Sequence, residues 1–431
     1  MRRSTLLTTA AALTASLALA ACGGDSGGSS AADAASAKGP ITVWLSNNTE
    51  EVAWGKAMVK EWNAANPDQQ VTAQEIPAGK TSEEVIGAAI TAGNTPCLIF
   101  NTSPAAVPAF EKQGGLVALD SFSDGVSYAK ERSGDTVQQY TSPDGKLYQL
   151  PWKSNPVMIF YNKKLLSKAG IDPEAPKLAT YDEFLAASRK IVSSGAAPAA
   201  IYPAPTSEFF QSWFDFYPMY VAQTGGTPLV KDGKATFGDP AGKAVGQLWR
   251  TLYDEKLAPR EQYNGDSFAE GKAAMAAVGP WAIASYGDKI DWGVVPAPTE
   301  KGMPADQIHT FSDAKNVAMY SACKNRGTAW ELMKFATSEK QDRALLEGTG
   351  QMPLRKDLPT TYADYFEANP AYATFADQAK RTVEVPNVAN SVLVWQTVRD
   401  AWSESVIFGK APVGPTLDSA AQKVDELATA Q

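Results

Sequence analysis

The pattern of apolar and polar positions in the first part of the chain predicts strands that alternate with helices. "ITVWLS" (41–46) and "CLIFN" (97–101) are continuous apolar runs, which are typical of strands buried on both faces. Between them, apolar residues recur at helical spacing in 51–67 and in 81–93, and the latter begins with a Thr-Ser-Glu-Glu capping pattern. This alternation favours an α/β fold built on a mostly parallel, doubly wound sheet.

The ends of the predicted strands are the first candidates for a binding site. In doubly wound sheets, ligands bind beyond the carboxyl ends of the strands. Polar residues follow those ends at 46–51 and at 101–103. The pattern therefore predicts a site at this edge of the sheet.

The remaining chain continues the mixture of strands and helices. Residues 147–171 predict a strand pair followed by a helix, and 181–195 predict an amphipathic helix that ends in glycine. The last third is mainly helical in pattern, and the sequence has no internal repeat.

The N-terminus has the pattern of an export signal. "MRR" precedes an uncharged apolar run that ends in "LAAC" (19–22), which is typical of a secretory signal and too short for a membrane span. "LAAC" also resembles a bacterial lipobox, in which the cysteine is diacylated. The alternative is an ordinary signal peptide. We expect a signal peptide at 1–21, then a lipidated Cys22 and a flexible linker at 22–39, which together place the protein on the outer face of the cytoplasmic membrane.

Composition restricts the class of partner. The chain has 431 residues, of which 44% are hydrophobic and 20% charged, enough for two or three domain-sized cores. Its formal charge of −8 argues against nucleic acid and against an anionic bilayer surface as partners. Besides Cys22 there are two cysteines, Cys97 and Cys323, and an isolated pair outside the cytoplasm is most simply a disulfide.

A protease motif in the linker lacks its partners. "GDSGG" around Ser26 matches the surroundings of the nucleophile in trypsin-like proteases, which also need a histidine base and an orienting carboxylate. The single histidine, His309, follows Ser26, whereas it precedes the serine in those enzymes. We interpret Ser26 as a linker residue and His309 as a polar loop residue.

Two further motifs are incomplete, and one histidine excludes His-rich zinc sites. "AGKTS" (78–82) lacks the first glycine of a phosphate-binding loop, because that position is Gln74. A calcium loop is an alternative for 120–131, but Phe122 stands where a ligand is needed. The residues that match the calcium pattern are Asp120, Asp124, Gly125 and Glu131. No metal or cofactor is expected.

The aromatic content points toward a sugar ligand. The chain has 11 tryptophans, several of which follow predicted strands or turns. Aromatic rings stack on the apolar faces of sugars, while polar side chains at the rim bind the hydroxyls. The alternative is that these tryptophans are core residues.

Five segments together resemble one family. The chain is similar to extracellular solute-binding proteins of the oligosaccharide type, which are relatives of the maltose- and trehalose-binding components of ABC importers. The resemblance implies a two-lobed fold of the type II periplasmic-binding-protein class, with a hinged cleft. Lobe 1 is expected to hold 40–150 and 311–350, and lobe 2 is expected to hold 151–310 and a helical 351–431. The segments are "LPWKSNPVMIFYNKKLLSKAGI", "GKAAMAAVGPWAIASY", "WGVVPAP", "TAWELMKFATSEKQDRALL" and "GQMPLRKDL".

The resemblance also implies candidate ligand-binding residues. Trp281 and Trp395 match stacking tryptophans of the family, and Glu51 matches a carboxylate that binds sugar hydroxyls. Relatives often carry Asp within 101–103, and some carry aromatic and acidic residues at Lys153 and Asn155, which leaves the sugar specificity open. The other candidates are Asn47, Asn48, Asn101, Thr102, Ser103, Trp152, Lys153, Asn155, Trp213, Phe216, Tyr217, Asp313 and Arg355.

The expected function follows from this family. We expect a monomeric, non-enzymatic substrate-binding component that captures a di- or oligosaccharide and delivers it to ABC transporter permease subunits. In the family fold, the strands that carry Cys97 and Cys323 are antiparallel neighbours, which supports the disulfide. One alternative ligand is a glycerophosphodiester held by Lys153 and Arg355. Another alternative is a secreted glycoside hydrolase, which needs only two carboxylates.

Overall fold

The computed structural model describes residues 31–46, 48–78, 81–203 and 214–429. Three of the candidates named above, Cys22, Asn47 and Trp213, lie outside the described residues. The described chain forms two lobes, each built on its own β-sheet and hydrophobic core.

Lobe 1 is organised by a five-stranded sheet in the order β2-β1-β3-β12-β4. β1 pairs in parallel with β2 and β3, whereas β12 is antiparallel to both β3 and β4. Four of these strands are mostly buried, whereas the edge strand β2 is polar and largely exposed. The strands are β1 (Ile41–Leu45), β2 (Val71–Glu75), β3 (Leu98–Thr102), β4 (Leu150–Lys153) and β12 (Lys315–Met319).

Capping residues define the helices on which lobe 1 depends. The Asn48 side chain accepts a hydrogen bond at the start of α2, and the Thr81 side chain does the same for α3, which ends at the left-handed Gly93. The helices of lobe 1 are α1 (Ala31–Ser36), α2 (Thr49–Ala65), α3 (Ser82–Ala92), α4 (Val107–Lys112), α5 (Gly125–Ser133), α11 (Arg326–Ala336) and α12 (Glu339–Thr349).

Lobe 2 is organised by a four-stranded sheet in the order β10-β5-β9-β6. β5 is antiparallel to both β10 and β9, and only β6 runs parallel to β9. A separate hairpin joins β7 to β8. The strands are β5 (Met158–Asn162), β6 (Ala199–Ile201), β7 (Val230–Lys231), β8 (Lys234–Ala235), β9 (Ala273–Val278) and β10 (Trp292–Val295).

The helices of lobe 2 surround that sheet and fill the C-terminal part of the chain. α7 begins at a complete capping box between Thr180 and Glu183. The helices are α6 (Lys163–Lys168), α7 (Tyr181–Ser193), α8 (Tyr217–Gln223), α9 (Pro240–Asp254), α10 (Trp281–Tyr286), α13 (Leu358–Thr361), α14 (Ala363–Ala368), α15 (Pro370–Gln378), α16 (Ser391–Trp402) and α17 (Val413–Thr429).

Several chain segments cross between the lobes and are bonded to one another. The Ser154 amide donates to the Met352 carbonyl over 2.9 Å, and the Asp313 amide donates to the Asn155 carbonyl over 3.0 Å. The hydroxyls of Ser154 and Ser312 are 2.6 Å apart. Two short parallel strands, β11 (Thr310–Phe311) and β13 (Thr382–Val383), extend this crossing region.

A disulfide crosslinks two segments of lobe 1. Cys97, just before β3, is bonded to Cys323, which follows β12, and their Cα atoms are 4.4 Å apart. The antiparallel pairing of β3 with β12 brings the start of one strand beside the end of the other. The structure thus contains the pairing expected from the sequence.

The two-lobed α/β fold class is confirmed, with two differences in detail. The sheets are mixed instead of mostly parallel, because β12 returns from lobe 2 in the opposite direction and β5 is antiparallel to both neighbours. The predicted strand pair in 147–171 is two strands, β4 and β5, in different sheets. The proposed residue boundaries of the lobes stay a prediction.

Within the described residues, no helix is both long and apolar enough to cross a membrane.

Candidate binding site between the lobes

A buried carboxylate lies where lobe 1 meets the crossing segments. Glu51 is in the first turn of α2, where its amide donates to the Asn48 side chain over 3.0 Å. Its side chain is 5% exposed, and its Oε1 accepts hydrogen bonds from Lys153 Nζ and from Gln351 Nε2. Its other oxygen, Oε2, is buried and accepts no hydrogen bond of regular geometry among the described residues, although the nearby Ser46 side chain also helps to lower the pKa of Glu51. Glu51 therefore has one lone acceptor.

The Lys153 side chain keeps this carboxylate ionised. Burial opposes the charged form of Glu51, but the charge of Lys153 and the hydrogen bonds outweigh burial, so the pKa of Glu51 lies below its usual range. Burial also lowers the pKa of Lys153, although Glu51 opposes this change. The two groups form a compensated pair, with Lys153 only 1% exposed.

Asn155 and Gln351 link the carboxylate to two crossing segments. Asn155 Nδ2 donates to Gln351 Oε1 over 3.1 Å, and Asn155 Oδ1 accepts from the Met352 amide over 3.1 Å. Sequence reasoning named Asn155 but missed Gln351. The signal was present, because Gln351 begins the "QMPLRKDL" part of a segment that resembles the family.

A second group of charges lies near the crossing region. Lys315 pairs with Asp313 over 2.6 Å, and both are only partly exposed. Burial raises the pKa of Glu83. Burial also raises the pKa of Glu384 to about 8, against hydrogen bonds from the Val385 amide and the Tyr140 hydroxyl. Sequence reasoning proposed Asp313 and missed the other members, Glu83, Lys315 and Glu384.

The end of β3 contributes a second buried polar atom. Asn101, the next-to-last residue of β3, has a left-handed backbone with φ of 67°. The Thr102 hydroxyl is already bonded to the Ile99 carbonyl and to the Tyr320 hydroxyl. The Ser103 hydroxyl is buried and has no hydrogen-bond partner among the described residues. Ser103 thus contributes a buried hydroxyl without a hydrogen bond to this strand end.

On the side of lobe 2, four ring contacts connect the candidates Trp281, Tyr217 and Trp395 through Phe214 and Phe311. Tyr217 and Trp395 are fully buried in the lobe 2 core, whereas Trp281 is only partly buried. Trp281 therefore keeps ring surface for a further contact. The ring centroids lie 6.1 Å apart for Trp281 and Phe214, 5.7 Å for Phe214 and Phe311, 5.5 Å for Phe311 and Tyr217, and 5.3 Å for Tyr217 and Trp395.

The local chain fixes the position of Trp281. Trp281 is the first residue of α10, directly after Gly279 and Pro280. A Cβ atom at Gly279 would collide with the Trp281 ring, so the ring folds back over the glycine. This close approach holds the indole in one place.

Other candidates are engaged elsewhere. Trp152 packs in the lobe 1 core against Trp54 and Phe100, each 5.3 Å away between ring centroids. Phe216 packs in the lobe 2 core. The Asn48 side chain is used as a helix cap. Asn48 still accepts a hydrogen bond from the Glu51 amide, and Lys153 Nζ lies 4.7 Å from the centroid of the Trp152 ring. No described hydrogen bond or ring contact joins Phe216 to the Glu51 network.

Arg355 is committed to an ion-pair network. It contacts Asp342 at 2.8 Å and Glu339 at 3.1 Å, and Arg132 pairs with the same Asp342 at 2.9 Å. Asp342 is fully buried. Arg355 is thus held by carboxylates.

The alternative of a calcium loop is not supported by the geometry. The Asp124 carboxylate is bonded to Trp330 Nε1 and to Lys334, and Asp120 accepts from the Leu147 amide. Among the residues that the structure describes, no cluster of three His, Cys, Asp or Glu side chains has a metal-binding arrangement.

The chain is similar in sequence to known binding proteins. The family model described as "Bacterial extracellular solute-binding protein" matches residues 46–343. The diacetylchitobiose binding protein DasA of Streptomyces coelicolor is 26% identical over 362 residues, which cover 79% of this chain and 80% of that protein. A maltooligosaccharide ABC transporter solute-binding lipoprotein of Streptococcus pneumoniae is 25% identical over 291 residues, or 64% of each chain.

A solved structure has the same fold. The crystal structure of a cyclic alpha-maltosyl-1,6-maltose binding protein from Arthrobacter globiformis superposes with a TM-score of 0.75 at 23% identity. The match covers 91% of this chain and 99% of that one.

Proposed function

This chain belongs to the bacterial extracellular solute-binding proteins, and we propose that it captures a neutral di- or oligosaccharide in the cleft between its lobes for an ABC importer. The family consists of binding proteins, and the two relatives described above are named for diacetylchitobiose and maltooligosaccharide ligands. We infer that this chain has the same role and no catalytic activity of its own.

The observation that carries this proposal is the lone acceptor on Glu51. A buried oxygen without a hydrogen bond costs about 1–3 kcal/mol, which a ligand hydroxyl at Oε2 would recover. The Ser103 hydroxyl offers a second such group. Sugar hydroxyls can supply several donors and acceptors at once, while the Trp281 ring can cover an apolar sugar face.

The charges in the cleft favour a neutral ligand. Lys153 is paired with Glu51, and Lys315 with Asp313. Arg355 is held by Asp342 and Glu339. A phosphodiester needs a cation that can turn toward it, and the cations proposed for that role are engaged with carboxylates. The glycerophosphodiester alternative therefore has less support than a sugar.

The location and partners complete the proposal. We infer that Cys22 carries the lipid and holds the protein on the outer face of the cytoplasmic membrane. The pneumococcal relative is named as a lipoprotein of an ABC transporter, which supports this arrangement. The protein would deliver its ligand as a monomer to permease subunits.

A thermal-shift panel tests the ligand class. Maltotriose and diacetylchitobiose represent the sugars, and glycerophosphocholine represents the phosphodiesters. A ligand at 100 times its Kd stabilises the folded state by about 2.7 kcal/mol, so a sugar of the panel should raise the melting temperature by several degrees. Stabilisation by glycerophosphocholine alone would contradict the proposal.

A further inference from the structure

The segment that precedes the first strand of lobe 1 is docked on α11. We propose that residues 31–40 clamp the anchored end of the chain to this helix, so that lobe 1 faces the membrane and lobe 2 is held away from it. This inference rests on the proposed anchor at Cys22. The surface assigned to the bilayer is the edge of lobe 1 where the clamp and the start of α11 meet.

Backbone and side-chain hydrogen bonds build the clamp. The Gly327 amide donates to the Ala37 carbonyl over 2.8 Å, and the Gly39 amide donates to Thr328 Oγ1 over 3.0 Å. Asn325 Nδ2 donates to the Pro40 carbonyl over 2.8 Å. An exposed pair of Lys38 and Glu331, 2.7 Å apart, adds little. The contacts join several successive residues of the segment to the first two turns of α11.

A glycine makes this close approach possible. A Cβ atom at Gly327 would lie 2.8 Å from the Ser36 carbonyl oxygen and 2.9 Å from that of Ala37. Both neighbours are backbone atoms, so a larger residue at 327 would have to displace the segment. The clamp therefore depends on the absence of a side chain at one position of α11.

The helix that holds the clamp is a rigid part of lobe 1. Ala329, Leu332 and Met333 of α11 are buried in the lobe 1 core. Just before the helix, Cys323 is joined to Cys97 at the start of β3, and Arg326 Nε donates to the Cys323 carbonyl. A force on the anchored end is thus transmitted to the sheet of lobe 1.

The length of chain between Cys22 and the clamp determines how strongly the clamp restricts the orientation of the protein. With the clamp closed, about nine residues separate Cys22 from Ala31, which span at most about 30 Å. A chain released as far as Ile41 could span about 65 Å. A compact body of this size is about 55 Å across. The clamp shortens the reach below the diameter of the protein, so it restricts which face approaches the bilayer.

Energy transfer to a membrane dye tests the proposal. The lipidated protein is placed in vesicles that contain an acceptor lipid, and a donor dye is attached through an encoded amino acid at exposed Lys324 of lobe 1 or exposed Lys190 of lobe 2. We expect clearly greater transfer from position 324. In Gly327→Leu the difference should shrink, because the displaced segment lengthens the tether.

Matched variants separate the clamp from general effects. Gly348→Leu is the control, since a Cβ atom at Gly348 meets nothing within 4 Å, and it should preserve the difference. If Gly327→Leu fails to fold, Asn325→Ala removes only the bond to Pro40, and faster hydrogen exchange of the Gly39 amide reports the loosened clamp. Equal transfer from both donors, or a difference that Gly327→Leu leaves unchanged, would overturn the proposal.

Failure of the anchor is distinguishable from failure of the clamp. If Cys22 carries no lipid, the protein stays in solution and the proposed localisation fails. Coupling the Cys22 thiol to a maleimide lipid then restores an anchor at the same residue. The donor comparison decides the orientation in either case.

Discussion

In the binding site that we propose, lobe 1 would contribute charged and polar side chains, whereas lobe 2 would contribute aromatic rings. On the first side, Glu51, Lys153 and Gln351 form a buried network that leaves one acceptor oxygen free. On the second side, Trp281 continues a row of rings that leads into the core. From this contrast we infer that lobe 1 would select hydroxyl positions and that lobe 2 would provide a stacking surface.

Removing the cation of the buried network of Glu51, Lys153 and Gln351 should have the largest effect on stability. In Lys153→Met, Glu51 becomes a buried carboxylate without a compensating charge, and we expect a loss of about 3–5 kcal/mol in the free energy of unfolding. Urea denaturation measures it. Lys163→Met is the matched control, because its partner Glu174 is 74% exposed, and it should cost less than about 1 kcal/mol. If both variants lost the same free energy of unfolding, Lys153 and Glu51 would not act as a buried ion pair.

The crossing region should respond to pH through Glu384. Its pKa is raised from 4.5 to about 8, so its contribution to stability is complete below pH 4.5 and is lost as the pH rises to about 8. The slope is at most about 1.4 kcal/mol per pH unit. Charged neighbours Lys315 and Asp313 act on the same group.

Glu384→Gln tests this dependence. The variant cannot ionise at 384, so the decline in unfolding free energy between pH 5 and pH 8 should become shallower, as measured by denaturant titrations across that range. Glu404 is exposed and serves as the control position, so Glu404→Gln should keep the slope of the unchanged protein. A slope that Glu384→Gln does not alter would refute the assignment.

Substitutions at Trp281 and Trp395 should separate the contribution of an aromatic ring to sugar binding from its contribution to stability. Trp281 is partly exposed, so Trp281→Ala should weaken sugar binding by about 1–3 kcal/mol with a modest effect on the melting temperature. Trp395 is fully buried, so Trp395→Ala should instead cost about 3–5 kcal/mol of stability. Calorimetry and thermal melts on both variants compare the two rings. A stable Trp281→Ala variant with unchanged affinity would remove Trp281 from the site.

The sequence predicts elements better than it predicts their assembly. The helix at 181–195 was recognisable because apolar spacing and a cap agree, and the structure has α7 with a capping box at Thr180. β4 and β5 were recognisable as strands, but not as members of different sheets. Their separation depends on the crossing at 154–157, which local periodicity does not record.

In the candidate site, too, the sequence predicts individual residues better than the contacts between them. Glu51 and Lys153 were candidates through family resemblance, yet nothing in their local sequence indicates that they form a pair across 102 positions. Gln351 was missed although it lies in a segment that resembles the family, whereas nothing in the local sequence marks Glu83 or Glu384 as a site residue. Gln351 contacts Glu51, and Glu384 contacts Tyr140, because the chain crosses between the lobes several times.

Calorimetry on two adjacent glutamates tests the central claim most directly. The sugar that gives the largest thermal shift is titrated into the unchanged protein, Glu51→Gln and Glu50→Gln. Both residues lie in the first turn of α2, but Glu50 is exposed and Glu51 is buried. The account predicts that Glu51→Gln weakens binding by at least tenfold, about 1.4 kcal/mol, while Glu50→Gln leaves it unchanged. Equal affinity in all three proteins would contradict the assignment of the Glu51 oxygen to the ligand.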